Sequence, residues 1–141
     1  MQAIIGKDYP RQVIPLIENA KNSIKIVVFD WRWYENDPGN PCQLFNNAIV
    51  RASRRGVAVR ACVNSENIKS KLVDNGIAVK IPVSSRLMHS KIIIIDENIL
   101  ILGSHNFSQS AFTQNFETSV ILRDLPDISK LSMFFESLWT L

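Results

Sequence analysis

One part of the sequence brings together side chains that can act on a phosphate ester. In chain order these residues are His89, Lys91, Asp96, Gly103, Ser104 and Asn106. An imidazole can attack or give a proton, whereas an ammonium and a carboxamide can hold negatively charged oxygens. This combination indicates the binding and attack of a phosphodiester. The pattern occurs once in the chain.

Two apolar runs have to position these residues. Residues 89–95 and 99–102 contain short stretches of isoleucine and leucine, which are typical of strands buried on both faces. The connector Asp96-Glu97-Asn98 has the length of a hairpin turn, so we expect antiparallel pairing. Because side chains alternate along a strand, His89 and Lys91 should share a face, about 6–7 Å apart. Asp96, the first residue of the connector, should project from the opposite face of the strand.

An imidazole and an ammonium at the start of an isoleucine strand need an explanation. Taken singly, His89 would be an ordinary structural histidine and Lys91 a solvated lysine. Burying both would be costly unless a partner compensates their polarity. A bound phosphate would be such a partner, and this favours a functional interpretation of the pair.

The pattern His-x-Lys-x4-Asp-x6-Gly-Ser-x-Asn resembles the signature of the phospholipase D superfamily, the HKD phosphodiesterases. Every spacing of this long motif is met, and the resemblance covers nearly the whole chain, from Ser23–Phe29 to Thr118–Arg123. In plan the chain is most similar to the small single-motif members: bacterial endonucleases of the Nuc type and relatives in RNA processing and lipid hydrolysis. The resemblance implies a phospholipase D-like fold.

The resemblance also implies roles for individual residues. The expected catalytic set is His89, Lys91, Ser104, Asn106, Glu117 and Asp96. In the family's mechanism one histidine attacks phosphorus to give a phosphohistidine, and a second histidine protonates the leaving group. Lys91 and Asn106, assisted by Ser104, would hold the phosphoryl oxygens. Glu117 lies where the family has a glutamate that hydrogen-bonds the catalytic histidine, and Asp96 is expected in a supporting position.

The chain has only two histidines, His89 and His105. His105 occupies the variable position of the Gly-Ser-x-Asn segment, so its side chain should point away from Ser104 and Asn106 and be structural or rim-facing. The second histidine of the mechanism would then be His89 of another copy. We therefore expect a two-fold homodimer with one composite site.

Further residues are candidates for contact with a substrate. Trp31 and Arg86 complete the substrate-binding set with Lys91, Ser104 and Asn106. Trp31 follows the first predicted strand at the end that should border the site. There an aromatic ring can stack on bases, line a lipid-facing cleft or, as is commoner, be buried in a core or an interface.

Neither a metal nor another cofactor is expected. Acidic residues do not gather around the motif, and two cysteines, Cys42 and Cys62, cannot supply the ligands of the zinc-binding insertion found in some relatives. No apolar run approaches ~18 residues, and the N-terminus lacks a signal-peptide core. The sequence predicts a cytoplasmic protein without a membrane span.

The charge of the chain permits nucleic acid as a partner without requiring it. The net charge is +3, and Arg51, Arg54 and Arg55 fall on one predicted helix. These arginines form either a nucleic-acid surface or a solvated helix face. The leading function that the resemblance implies is cleavage of DNA or RNA. A lipid phosphodiesterase and a nucleic-acid-binding module without turnover are the alternatives.

The rest of the sequence predicts one domain, residues 1–141, of alternating helices and strands. The expected helices cover about 8–22, 42–55, 65–74 and a segment after Pro126, with a loop or short helix at 107–116. Besides the two motif strands, the expected strands cover 24–30, 57–63, 77–81 and 117–123. Helices alternate with strands early, and strands adjoin late. This order predicts an α/β fold with a mixed β-sheet flanked by helices on both faces.

Overall fold

Seven strands and five helices alternate along the chain in the computed structural model, which describes residues 1–141. In chain order they are β1 (Gln2–Ile5), α1 (Asp8–Glu18), β2 (Ser23–Val28), α2 (Pro41–Arg54), β3 (Ala58–Cys62), α3 (Glu66–Asp74), β4 (Ala78–Lys80), β5 (Lys91–Ile95), β6 (Ile99–Gly103), α4 (Gln109–Thr113), β7 (Thr118–Leu122) and α5 (Leu125–Trp139). All predicted elements are present with shifted ends. Strand β1 was not predicted, because four residues carry too little periodicity to be recognised.

The strands form one mixed sheet in the order β1-β7-β6-β5-β2-β3-β4. Strands β2, β3 and β4 are parallel and are linked by the crossover helices α2 and α3. Antiparallel pairing joins β1 to β7, β7 to β6, β6 to β5 and β5 to β2. The predicted α/β class with a mixed sheet is confirmed.

The hairpin between β5 and β6 is tight. Asp96 and Glu97 both have positive φ angles, 52° and 56°, and the amide of Asn98 donates to the carbonyl of Ile95 at 3.0 Å. Two left-handed residues between antiparallel strands match a type I′ turn, whose twist suits a hairpin. This turn fixes the register of the two motif strands.

Helices cover both faces of the sheet, as predicted. The larger core lies on one face, under α1, α2 and α4, whereas α5 packs on the opposite face against β2 and β3. Arg60 anchors α5 through a bidentate ion pair with Glu136, at 2.8 and 2.9 Å. Its guanidinium also lies 5.0 Å from the ring centroid of Phe135 and 5.1 Å from that of Trp139. A single helix cannot cover seven strands, so apolar side chains on β1 stay exposed, such as Ile5 at 68%.

The arginines of α2 hold helices together. Arg55 donates to the carbonyls of Ile17 and Ala20 at 2.7 and 3.0 Å, and Arg51 pairs with Glu18. These residues stand near the amino end of β3, at the end of the sheet opposite to His89. The structure therefore favours a packing role over a nucleic-acid surface for this cluster.

The motif residues other than Asp96 converge at one end of the sheet. The register places Lys91 opposite Val28 and Gly103 opposite Ser119, so the carboxyl ends of β2 and β6 meet the amino ends of β5 and β7. A Cβ atom on Gly103 would collide with the backbone of Thr118 and with Ser119. Glycine is required here by the close approach of β7, a reason that the sequence did not reveal.

Candidate active site

His89 and Lys91 are in direct contact. Strand β5 begins at Lys91, so His89 precedes the strand and the predicted strand start at 89 is wrong. The Lys91 Nζ atom nevertheless lies 3.2 Å from Nδ1 and 3.4 Å from Nε2 of His89. An ammonium can only donate, so an imidazole lone pair accepts this hydrogen bond. An imidazole that accepts carries its single proton on the other ring nitrogen, so the nitrogen that accepts from Lys91 is the one whose lone pair can attack.

Both side chains rest on one aromatic ring, that of Phe29. The His89 and Phe29 ring centroids are 4.6 Å apart, and the Lys91 Nζ atom lies 5.6 Å from the Phe29 centroid. Partial burial lowers the pKa of Lys91, and the negative charge of Glu117 opposes this shift. An ammonium that has lost part of its water interacts more strongly with a neighbouring anion.

Ser104 and Glu117 form the next part of this surface. The Ser104 hydroxyl donates to Oε1 of Glu117 at 2.5 Å and accepts from the amide of Thr118 at 3.0 Å. The Asn115 side chain donates to the other carboxylate oxygen at 2.9 Å. Within one chain Glu117 therefore makes its hydrogen bonds to Ser104 and Asn115, not to His89 as the resemblance implied.

Asn106 is oriented by the end of β2. Its Oδ1 atom accepts from the backbone amide of Asp30 at 3.1 Å. This bond sets the carboxamide so that Nδ2, a double donor, remains available. Asn106 follows β6, and Asp30 follows β2, which pairs with β5. The Asn106 amide is thus at the same sheet end as Lys91.

His105 has a structural environment. Its ring is 1% exposed, Nδ1 lies 2.7 Å from the Ser119 hydroxyl, and Nε2 lies 2.9 Å from the Gly6 carbonyl. A carbonyl can only accept, so Nε2 carries a proton and Nδ1 accepts from Ser119. Burial lowers the pKa of His105, while the Gly6 bond and the charge of Glu117 act in the opposite direction. As predicted, this histidine points away from Ser104 and Asn106.

Trp31 is not available for stacking on a substrate. Its ring is 5% exposed, packs edge-on against Phe107 and donates from Nε1 to Asn46 at 2.7 Å. Burial was one of the three alternatives that the sequence allowed for Trp31. Because the ring is buried, Trp31 does not belong to the substrate-binding set. Arg86, in contrast, is exposed and lines the same groove as His89.

Two grooves flank these residues. A polar groove of about 790 Å³ is lined by Asp30, Arg32, Trp33, Tyr34, Asn67 and Gln109 among others. A second groove of about 820 Å³ contains His89, and its walls include Arg86, Leu87, Phe134 and Leu141. The first offers mostly amides, hydroxyls and aromatic edges, whereas the second has more apolar walls.

Comparison with known sequences decides the family. The sequence profile described as "Cardiolipin synthase, PLD-like domain" matches residues 13–139. The chain belongs to the phospholipase D-like family. Its similarity to the phospholipase D of Rickettsia prowazekii (strain Madrid E) is 31% identity over 118 residues, 79% of this chain and 53% of that protein. The chain thus spans about half the length of the curated relatives it matches.

Solved structures of the family share the fold. Nuc from Salmonella typhimurium, described as a phospholipase D family member, superposes with a TM-score of 0.80 at 22% identity. NucT from Helicobacter pylori gives a TM-score of 0.79 at 21% identity. In both cases the match covers 99% of this chain and 94% of the other. The predicted phospholipase D-like fold is confirmed. None of the five helices of this phospholipase D-like chain has both the length and the apolarity needed to cross a membrane.

The structure separates Asp96 from the other motif residues. Its carboxylate lies in the β5–β6 turn, at the opposite end of β5 from Lys91, and accepts from the backbone amides of Lys21, Asn22 and Ser23 at 2.7–3.2 Å. Although burial acts to raise the pKa of Asp96, these three donors and the positive charge of Lys21 together outweigh it and lower the pKa. The aspartate of the motif ties the hairpin to the start of β2, so its expected place in the catalytic set is corrected to a structural one.

Replacing Asp96 by asparagine should destabilise the fold without touching the site. Asparagine tolerates the left-handed backbone but loses the charge and one acceptor oxygen, so we expect a loss of about 1–2 kcal/mol at pH 7. Because the folded-state pKa of Asp96 is lowered, its stabilisation is complete above the ordinary value of 3.8 and disappears as the pH falls through the folded value. Urea unfolding at pH 7 and at pH 3 measures both effects.

Asp74→Asn is the matched control, because Asp74 is exposed and makes no side-chain hydrogen bond or ion pair. Its unfolding free energy should stay near that of the wild type at both pH values. Equal unfolding free energies for Asp96→Asn and the wild type at pH 7 would contradict the assignment of Asp96 to the turn.

Two contributors to the site were missed in the sequence. Phe29 was recognised only as the end of a strand, and Asn115 falls in the segment 107–116 that was predicted as a loop or short helix. Phe29 falls at the expected border of the site, so its position was a usable signal. Asn115 offered none, because its contact depends on how the segment before β7 turns.

Proposed function

We propose that this chain is a metal-independent phosphodiesterase that cleaves DNA or RNA through a phosphohistidine on His89. The contact between His89 and Lys91, at the sheet end that also carries Asn106, is the observation that supports this proposal most directly. Lys91 and the Nδ2 donor of Asn106 supply positive charge and hydrogen bonds for phosphoryl oxygens. Ser104 and Glu117 lie at the same end of the sheet, where β6 ends and β7 begins.

The reaction takes two displacements. In the first, a ring nitrogen of His89 bonds to phosphorus while the bond to the leaving oxygen breaks, and a second histidine gives that oxygen its proton. In the next, this second histidine takes a proton from water, whose oxygen bonds to phosphorus as the phosphorus–nitrogen bond breaks. The products are an alcohol and a phosphate monoester, and both histidines return to their initial states.

The second histidine is assigned to another copy of the chain. His105 is committed to Ser119 and Gly6, so one chain offers only His89 for two roles. Apolar side chains stay exposed on the β1 side of the sheet and around His89: Ile5 at 68%, Leu87 at 70% and the fully exposed Phe116 beside Glu117. A two-fold dimer that brings two His89 rings together would cover such surfaces.

The polar groove favours a nucleic acid as the substrate. Its lining includes Asp30, whose amide orients Asn106, so the groove adjoins the site and a bound chain can continue into it. Amide side chains such as Asn67 and Gln109 suit the hydrogen-bonding edges of bases, and the Trp33 ring at its wall suits stacking. An acyl chain would gain little from such a lining.

A phospholipid is the second candidate substrate, and two observations favour it. The Rickettsia prowazekii relative is called phospholipase D, and a Xenopus tropicalis relative, with 25% identity over 134 residues, is called mitochondrial cardiolipin hydrolase. The groove beside His89 has the apolar residues Leu87, Phe134 and Leu141 in its wall. That groove could take part of a lipid.

A substrate panel in excess EDTA tests the proposal. Single- and double-stranded DNA and RNA, phosphatidyl lipids and bis-p-nitrophenyl phosphate are incubated with the wild type and with His89→Ala. We expect cleavage of a nucleic acid and of the small diester at rates that EDTA leaves unchanged, because side chains supply the electrostatic stabilisation. Activity that requires added Mg²⁺ or Zn²⁺ would contradict the mechanism. Cleavage of lipids alone would select the second candidate.

A further inference from the structure

His89 lacks the support that a strand would give it. It lies in the irregular segment between β4 and β5, its ring is exposed, and its only side-chain hydrogen-bonding contact is with Lys91. A nucleophile must be held close to its attack position, since a misplacement of about 1 Å can cost ~10²-fold in rate. Some other group has to fix this segment.

Asn64 makes the bonds that do so. Its Nδ2 atom donates to the carbonyl of Met88, directly before His89, and to the carbonyl of Phe29, each at 3.0 Å. Burial beneath α5 anchors the Met88 side chain, and the bond from Asn64 holds the direction of its carbonyl. The carboxamide of Asn64 thus ties the residue preceding His89 to the residue whose ring His89 contacts.

The position of Asn64 is itself rigid. It comes just after β3, and the amide of the preceding residue, Val63, donates to the carbonyl of Lys80 in β4 at 3.0 Å. On the other side, the Asp30 amide next to Phe29 orients Asn106. Two residues after β2 therefore contact the site. The Asp30 amide bonds to Asn106, and the Phe29 carbonyl bonds to Asn64, which also holds the carbonyl before His89.

We infer that Asn64 is a positioning residue that holds the imidazole of His89 in its attack geometry, acting through the Met88 and Phe29 carbonyls. This inference rests on the proposed role of His89. Asn64 is exposed and contributes only side-chain bonds to two loop carbonyls, so its replacement should change geometry far more than stability.

Asn64→Leu keeps the size and branching of the side chain and removes both hydrogen-bond donors. Asn64→Gln keeps the carboxamide on a side chain that is one methylene longer. With bis-p-nitrophenyl phosphate we expect kcat to fall ~10-fold or more in Asn64→Leu, with KM changed less than about threefold. Asn64→Gln should recover part of kcat. Asn36→Leu, at an exposed asparagine without side-chain hydrogen bonds, is the matched control and should keep the wild-type kcat.

Imidazole NMR gives a readout that does not depend on turnover. The chain has two histidines, so the His89 and His105 ring signals can be assigned separately. In Asn64→Leu we expect the His89 signals to shift or broaden, while those of His105, held by Ser119 and Gly6, stay unchanged. Unchanged His89 signals, or equal changes in both rings, would overturn the inference. If the wild type cleaves no diester, the proposed function fails, and the NMR comparison still decides the role of Asn64.

Discussion

His89→Ala in both copies is expected to lower turnover by at least ~10⁴-fold, because it removes the nucleophile together with a proton transfer that is worth ~10²–10⁴ by itself. The ring of His89 is exposed and packs only against Phe29 and Lys91. The folded state should therefore lose little stability, with a melting temperature within about 3 °C of the wild type. Hydrolysis of bis-p-nitrophenyl phosphate and thermal unfolding measure the two quantities.

Ser85→Ala serves as the control for the His89 experiment. Ser85 is exposed in the same irregular segment, and its side chain makes no hydrogen bond. It should retain wild-type turnover, which shows that changes in this segment are tolerated in general. Residual activity of His89→Ala near that of Ser85→Ala would remove His89 from the reaction and the proposed mechanism with it.

A mixed dimer of one wild-type and one His89→Ala chain should be severely impaired too. If one copy supplies the nucleophile and the other the acid, the single remaining imidazole leaves one step unassisted, at a cost of ~10²–10⁴ in rate. Independent sites would instead keep half of the activity. Two different affinity tags allow the mixed species to be isolated, and its rate is compared with that of a wild-type dimer carrying the same two tags.

Light scattering at the assay concentration completes this experiment. We expect a dimer, because the site as proposed needs His89 from two chains and His105 is held elsewhere. A fully active monomer would contradict the composite site. Half activity in the mixed dimer would contradict the division of roles and leave the dimer itself in place.

The sequence by itself determined those features that depend on neighbouring residues. The apolar runs around Asp96 and Glu97 predicted β5, β6 and their hairpin, because the length of an apolar run and the length of a turn are local properties. The hairpin then brings the start of β5 beside the end of β6, which places Lys91 near Gly103 and Ser104. This is why most of the candidate site was visible before the fold was known.

The tertiary structure alone decided which groups each polar side chain meets. Asp96 accepts from Lys21–Ser23, more than seventy residues earlier, and these bonds give its carboxylate a structural role in joining the hairpin to β2. Asn64 reaches Met88 only because β3 lies beside β2, and no spacing in the sequence encodes that contact. Trp31 is buried because Phe107 and Asn46 enclose it. Contacts between distant segments depend on the packing of the whole sheet, which local patterns do not specify.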